Sequence, residues 1–271
     1  MLHPAISYTR ITRVQDRIVT DTEDALAAEE PLEIRLLHGP LQQREQRSIT
    51  VTMRTPGDDT ELASGFLFTE GIISKATDIT DIKYADNIAT VTLHENTIPV
   101  LQSAQRNFFA NSGCGVCGKT ELDAIYAPVG VSTGSTEYKA AILVQLPELL
   151  REQQSVFEDT GGLHAAALFN DEGKMIVMRE DIGRHNAVDK LVGAALTKSL
   201  FPLDKYTLLL SGRAGFELIQ KAAMAGIKII AAIGAPSSMA VRMAQEWDLT
   251  LVGFLRQHRF NIYTGEQRIV V

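Results

Sequence analysis

The sequence predicts an α/β protein: a small N-terminal α+β domain followed by a larger α/β domain with a mainly parallel sheet. Three observations predict it. Extended runs at residues 33–37 and 48–53 face each other across Gly39 and Pro40; strand-like and helix-like segments alternate between residues 206 and 254; and between the two halves lies a stretch with poor periodicity. At 271 residues the chain exceeds the usual single domain. The predicted divisions are 1–105 for the first domain, 106–138 for a joint, and 139–271 for the second domain.

Taken in order, residues 48–53 alternate Ile49, Val51 and Met53, as a half-buried strand does. Asp58 or Asp59, after Pro56 and Gly57, is placed to cap a helix whose Leu62, Phe66 and Leu67 share a face and whose end is marked by Gly71. Strands follow at 79–84 and 88–93. Beyond the joint the pattern reads helix from Leu146, strand 165–169, turn 170–173, strand 174–178 and a helix from about His185. Strand and helix then alternate as 206–210 and 216–225, 227–233 and 238–247, closing with a strand at 249–254. Such alternation implies parallel strands covered by helices.

Composition sets the bounds on function. Hydrophobic residues are 45% and charged residues 22% of the chain, and mean hydropathy is +0.01, which is globular and excludes wholesale disorder. The 26 Lys and Arg against 33 Asp and Glu give a net charge of -7, so no global field gathers nucleic acid or anionic lipid. An anion site must be a local basic pocket. No apolar stretch has the length of a membrane span, and MLHPAISYTR lacks a secretory pattern, so the expected address is the cytoplasm.

The two cysteines, Cys114 and Cys117, form a CxxC pair inside Ser112-Gly113-Cys114-Gly115-Val116-Cys117-Gly118. Glycines leave both sulfurs without bulky neighbours and give the loop reach. A CxxC spacing lowers the pKa of its first thiol, which favours the nucleophilic thiolate. The residues alone allow a redox dithiol, half of a zinc site or a persulfide carrier. Structural zinc takes four N or S ligands and no second cysteine pair exists, so no metal is expected.

A second constellation lies at the carboxyl ends of three predicted strands, where open α/β sheets hold ligands and helix N-termini offer free N–H groups. Those ends carry Ser211, Gly212 and Arg213; Gly234 to Ser238; and Phe254, Leu255, Arg256, Gln257, His258 and Arg259. Arg213, Arg256 and Arg259 supply forked donors that match phosphate, and the topology converges them on one pocket for a phosphorylated molecule or nucleotide. Neither GxGxxG nor a Walker lysine occurs. A third stretch runs from Glu180 to Lys190, where His185 and Asp189 stand one helical turn apart and the histidine is placed for phosphate binding or proton transfer. His164, at the start of a strand beside Gly161 and Gly162, reads as a structural histidine. Zinc deaminase chemistry is excluded, because no Glu stands two residues after His164 and no Pro precedes Cys114.

With Gly65-Phe66-Leu67, residues 69–73, the GCGVCG loop at 113–118, the His164 segment, residues 181–190, 211–227, 249–254 and Tyr263-Thr264 in order, the chain resembles the FdhD family of formate dehydrogenase accessory sulfurtransferases. The resemblance covers most of the chain. It implies a cytidine-deaminase-like fold for the second domain, without the zinc chemistry, and a cytoplasmic homodimer. It further implies a sulfur carrier that takes sulfane sulfur from a cysteine desulfurase and passes it to the molybdenum cofactor, Mo-bis(molybdopterin guanine dinucleotide), before that cofactor enters formate dehydrogenase. Guanine nucleotides would mimic the cofactor. Cys114 maps to the persulfide site with Cys117 assisting, and Phe254 to Arg259 map to the cofactor-binding stretch. The alternatives are a non-catalytic chaperone of the molybdenum cofactor and a zinc-binding CxxC module.

Overall fold

The computed structural model describes residues 4–101 and 137–271, so Cys114, Cys117 and most of the predicted joint lie outside the described residues. The chain opens with an antiparallel ribbon of β1 (Ile6–Gln15) and β2 (Ile18–Ala27). Sequence reading passes over this ribbon because polar and apolar residues fall on both of its faces and leave no one-sided period. Strands β3 (Glu30–His38) and β4 (Glu45–Arg54) form the expected hairpin. Helix α1 (Asp59–Thr69) then crosses to β5 (Ile79–Ala85) and β6 (Ile88–Leu93), completing a four-stranded sheet of order β4-β3-β6-β5.

The ends of α1 divide the expectation made for them. Gly71 closes the helix in a left-handed conformation, φ +71, with its N–H donating to Phe68 O. The N-terminal expectation needs correction: Asp58 occupies the cap position but makes no side-chain cap bond. The Asp59 carboxylate accepts instead from Arg54 Nε at 2.5 Å and from Gly57 N at 3.2 Å. Arg54 is fully buried, and a buried guanidinium needs a charged partner more than a helix end needs a cap.

The second half contains a three-layer arrangement. After the short β7 (Tyr138–Lys139) come α2 (Ala140–Leu143), α3 (Leu146–Arg151) and α4 (Ser155–Thr160). The sheet follows with β8 (His164–Phe169), β9 (Met175–Asp181), α5 (Arg184–Thr197), β10 (Thr207–Leu210), α6 (Phe216–Met224), β11 (Ile229–Ala232), α7 (Ser238–Glu246), β12 (Thr250–Arg256) and β13 (Arg259–Thr264). A final β14 (Ile269–Val270) pairs with β7. The order of the large sheet is β13-β12-β11-β10-β8-β9.

This sheet is mixed, which overturns the expectation of a mainly parallel one. Only β10–β11 and β11–β12 are parallel, whereas β8–β9, β8–β10 and β12–β13 are antiparallel. The reason is loop length: a parallel pair needs a crossover of a dozen or more residues, while the turns after Phe169 and Arg256 reverse the chain within a few. The second of those turns, Gln257-His258, carries none of the Gly or Asn that marks a hairpin in a sequence.

Alternate strand residues feed two cores. Leu208, Leu210, Ile230 and Leu251 face the cluster that includes residues of α1 and α5 to α7, and Leu209, Ile229, Val252 and Leu255 face the cluster that includes residues of α2 and α3. The larger cluster also takes in Leu32, Ile34 and Leu36 of β3, so both halves of the chain contribute to it. Helices α1 and α5 cross at two glycines. A Cβ on Gly65 would lie 1.8 Å from Asp189 O, and one on Gly193 would lie 1.9 Å from Glu61 O.

Candidate functional site

Strand direction decides what meets at the carboxyl ends of β10, β11 and β12. Because β8 is antiparallel to β10, it begins where β10 finishes, which brings His164 to the same edge as Ser211 and Gly212. Strand β9 is antiparallel to β8 and pairs Asp181 with His164, so the turn into α5 arrives there too, carrying Arg184 and His185. The loops are stitched together by backbone bonds: Gly234 N donates to Gly212 O at 2.9 Å, Ser237 N to Ala214 O at 3.0 Å and Phe254 N to Gly234 O at 3.0 Å. Ser211 is part of this stitching, its hydroxyl accepting from Ala165 N at 2.8 Å.

The chemistry at this edge is cationic. His164 is half-buried, with its ring against Gly212, where an added Cβ would come within 3.1 Å of Nδ1. Burial first, then the charges of Arg184, His185 and Arg213, hold its imidazole below the ordinary histidine value. Arg184 and Arg213 make no ion pair with any described residue, whereas His185 Nε2 contacts Glu217 Oε2 at 2.9 Å. Helices α5 and α6 both begin at a glycine cap, Gly183 and Gly215, which has no side chain to accept from the first N–H groups. Two guanidinium groups without an ion-pair partner among the described residues, beside two helix starts capped by glycine, give this edge donors of the kind that suit an anion.

The turn that presents Arg184 and His185 is held from the N-terminal half. Asp181, fully buried, accepts from Lys190 Nζ at 2.8 Å, Gly183 N at 2.8 Å, Thr55 N at 3.1 Å and Asn186 Nδ2 at 3.1 Å. Lys190 Nζ donates to Thr55 O at 2.8 Å, and Ile182 N donates to Thr55 Oγ1 at 3.1 Å. Every group in this buried knot has a partner, which keeps the turn in one geometry.

None of the clefts described among these residues brings the three arginines together. Strand β12 continues past the ends of its neighbours through a bulge between Gly253 and Arg256, and Arg256 pairs with Arg259 across the turn into β13. Residues Arg256, Gln257, His258 and Arg259 therefore wall a separate cleft of about 780 Å³ against Pro147, Glu148, Arg151 and Glu158, which Arg213 does not line. Arg256 Nη1 donates to Ile233 O at 2.6 Å, and Gln257 Nε2 to Glu148 Oε2 at 3.2 Å. Leu255 is fully buried in the core and offers the cleft little beyond its backbone. Phe254 is 40% exposed and has φ 52, a left-handed backbone that costs a bulky side chain about 1–3 kcal/mol.

Thus the structure groups His185, Ser211, Gly212 and Arg213 and sets Arg256 to Arg259 apart. Sequence reading gave His164 a structural role and assigned none to Arg184 or Glu217. The signal available for Arg184 was its place at the start of a helix with a glycine cap. For His164 there was no such signal, because strand direction is not written in the residues around it. Among the described residues no three His, Asp or Glu side chains gather as metal ligands. No helix among the described residues is long and apolar enough to cross a membrane.

Comparison with known proteins places these features in a lineage. Residues 27–270 match the model of the FdhD/NarQ family. A protein of Streptomyces avermitilis named sulfur carrier protein FdhD is 46% identical, the alignment covering 97% of this chain and 95% of that one. One of the same name from Saccharolobus solfataricus is 41% identical, with 96% of each covered. A crystal structure from Desulfotalea psychrophila, described as a formate dehydrogenase accessory protein, superposes with a TM-score of 0.79 at 24% identity, covering 98% of this chain and all of that one. By its sequence over almost its whole length, the chain belongs to the FdhD/NarQ family.

Proposed function

We propose that this protein is a sulfur carrier that accepts sulfane sulfur on Cys114 from a cysteine desulfurase and delivers it to the molybdenum cofactor, Mo-bis(molybdopterin guanine dinucleotide), before that cofactor enters formate dehydrogenase. The observation that carries the reading is the GCGVCG pair in a member of a family whose relatives bear the name sulfur carrier protein. In loading, the Cys114 thiolate attacks the terminal sulfur of the donor's persulfide and the donor thiolate leaves. In delivery, an electron pair from the acceptor forms the new bond to that sulfur and the S–S pair departs on the Cys114 thiolate. Before delivery the Cys117 thiolate can attack the same outer sulfur, forming a Cys117 persulfide and expelling Cys114 as its thiolate, so the pair can share the cargo by exchange.

The cofactor is the cargo, and its guanylate phosphates are the anion that the edge at Arg184, Arg213, His164 and His185 suits. The glycine-capped α5 and α6 starts add N–H donors without adding a second charge. Arg256 and Arg259 offer a second basic wall. Holding the acceptor in place lets proximity to the arriving persulfide do much of the catalytic work. In the same reading the protein acts in the cytoplasm as a homodimer, and its second half is a cytidine-deaminase-like frame without the His-x-Glu pair that zinc chemistry needs.

Intact-mass measurement after incubation with a cysteine desulfurase and cysteine tests the proposal. The expected result is a reducible gain of one sulfur that is absent from Cys114→Ala, together with loss of formate dehydrogenase activation by that variant. Full activation by Cys114→Ala would replace the carrier with a chaperone.

A further inference from the structure

The β1–β2 ribbon precedes the family-model match, which begins at residue 27, while the alignment with the Streptomyces avermitilis relative covers 97% of this chain and so reaches into the ribbon. Its base is anchored where Ile6 and Ala27 pack on Val156 and Leu163, but its far end carries Val14, Ile18 and Val19, each more than 60% exposed. Strands of ten residues reach roughly 33 Å. Among the described residues no third strand pairs with it, and a two-stranded ribbon by itself is marginal in water, with backbone groups left over at both edges. Among the described residues nothing covers the apolar end of this long ribbon.

Its charges say what covers it. The only charged residues of β1 are Arg10 and Arg13, and the only charged residues of β2 are Asp21, Glu23 and Asp24. The register puts Tyr8, Arg10, Thr12 and Val14 on one face, opposite Ala25, Glu23, Asp21 and Val19 in turn. When two such faces meet about a two-fold axis parallel to the strands, every residue of β1 lies over the register partner of that residue in the other copy. Arg10 then meets the partner's Glu23, and Val14 meets the partner's Val19. The ribbon is its own complement, as an isologous contact requires.

We infer that the β1–β2 ribbon is an arm that packs face to face with the same arm of a second copy of this chain. The inference rests on the dimer included in the proposed function and assigns its contact to this face. A foreign partner would have to carry acidic, basic and apolar groups in matched order; the second copy carries them by construction.

Sedimentation velocity on the full chain tests it. The wild type is expected to be a dimer at micromolar concentration, and Arg10→Glu and Glu23→Arg are each expected to weaken it by about tenfold or more through like charges facing across the axis. Mixing the two variants is expected to restore the dimer mass, because glutamate at 10 in one then meets arginine at 23 in the other. A monomeric wild type overturns both the arm and the dimer. A dimeric wild type whose single variants stay dimeric, or whose mixture fails to recover, overturns the arm and leaves a dimer through another surface. Circular dichroism and thermal melts confirm that the variants are folded; Val19→Asp, at the far end of the arm, gives a second disruption with no change at the core.

Discussion

Burial and the neighbouring charges of Arg184, His185 and Arg213 depress the ionisation of His164, and Asp181 makes the smallest, opposing contribution. Its folded value lies below the ordinary 6.5, so the unfolded chain takes up the proton first. The stability this histidine contributes is complete above pH 6.5 and is lost as pH falls through the folded value. An anion bound at the edge reverses the balance: it offsets the arginines and makes protonation easier, so binding takes up a proton. Affinity for sulfate, whose own charge is constant in this range, is expected to rise as pH falls from 7.5 to 5.5, by less than about tenfold per unit for one proton. Calorimetric titration at several pH values checks this, and His164→Gln should flatten the profile. A flat wild-type profile would remove His164 from the site. At this scale the residue types were legible, Ser211 to Arg213 and His185 among them, but their company was not. Only the antiparallel placement of β8 and β9 brings Arg184 and His164 to the edge that holds Ser211 to Arg213.

Among the elements, the crossing of α1 and α5 has the least room. The atoms facing Gly65 and Gly193 are backbone carbonyls, which cannot swing aside as a flexible side chain can. Gly193→Ala must push the helices apart and is expected to cost about 3 kcal/mol. That corresponds to a fall of roughly 6–12 °C in Tm for a protein of this size, read by differential scanning calorimetry. An unchanged Tm would mean that the helices separate freely. Helices α1, α3 and α5 to α7 and the central strands β10 to β12 were predictable from their apolar runs and their boundaries, whereas the short α2 and α4 were not read from the sequence. The ribbon and the β12–β13 hairpin were not, since one lacks a one-sided period and the other turns on Gln257 and His258.

Across the whole molecule, Lys221 joins what the sequence separates. Its ammonium, on α6, meets Asp189 of α5 and Glu70 beyond α1, each at 2.9 Å, and donates to Thr69 Oγ1 at 2.9 Å. Burial alone would lower its pKa, but the Asp189 and Glu70 carboxylates outweigh it and hold it above the usual lysine value. Lys221→Met leaves the buried Asp189 without its cation, at an expected cost of about 3–5 kcal/mol in urea unfolding. Adding Asp189→Leu should recover much of that loss, because an apolar pair of similar volume removes the uncompensated charge. Failure to recover would mean that Thr69 and Glu70, not the ion pair, bind the halves together.

By itself the sequence determined the family, the presence and spacing of the cysteine pair, the order of most helices and strands and the basic residue types near the strand ends, because composition, period and motif are local properties that neighbouring residues express. Only the tertiary structure decided that the large sheet is mixed, that Arg256 and Arg259 wall a cleft that Arg213 does not line, and that Thr55 in the first half holds the turn bearing Arg184 and His185 in the second. Strand direction and the pairing of buried charges depend on which segments the core brings into contact. The Thr55 contacts join residues more than a hundred positions apart, where no local pattern reaches.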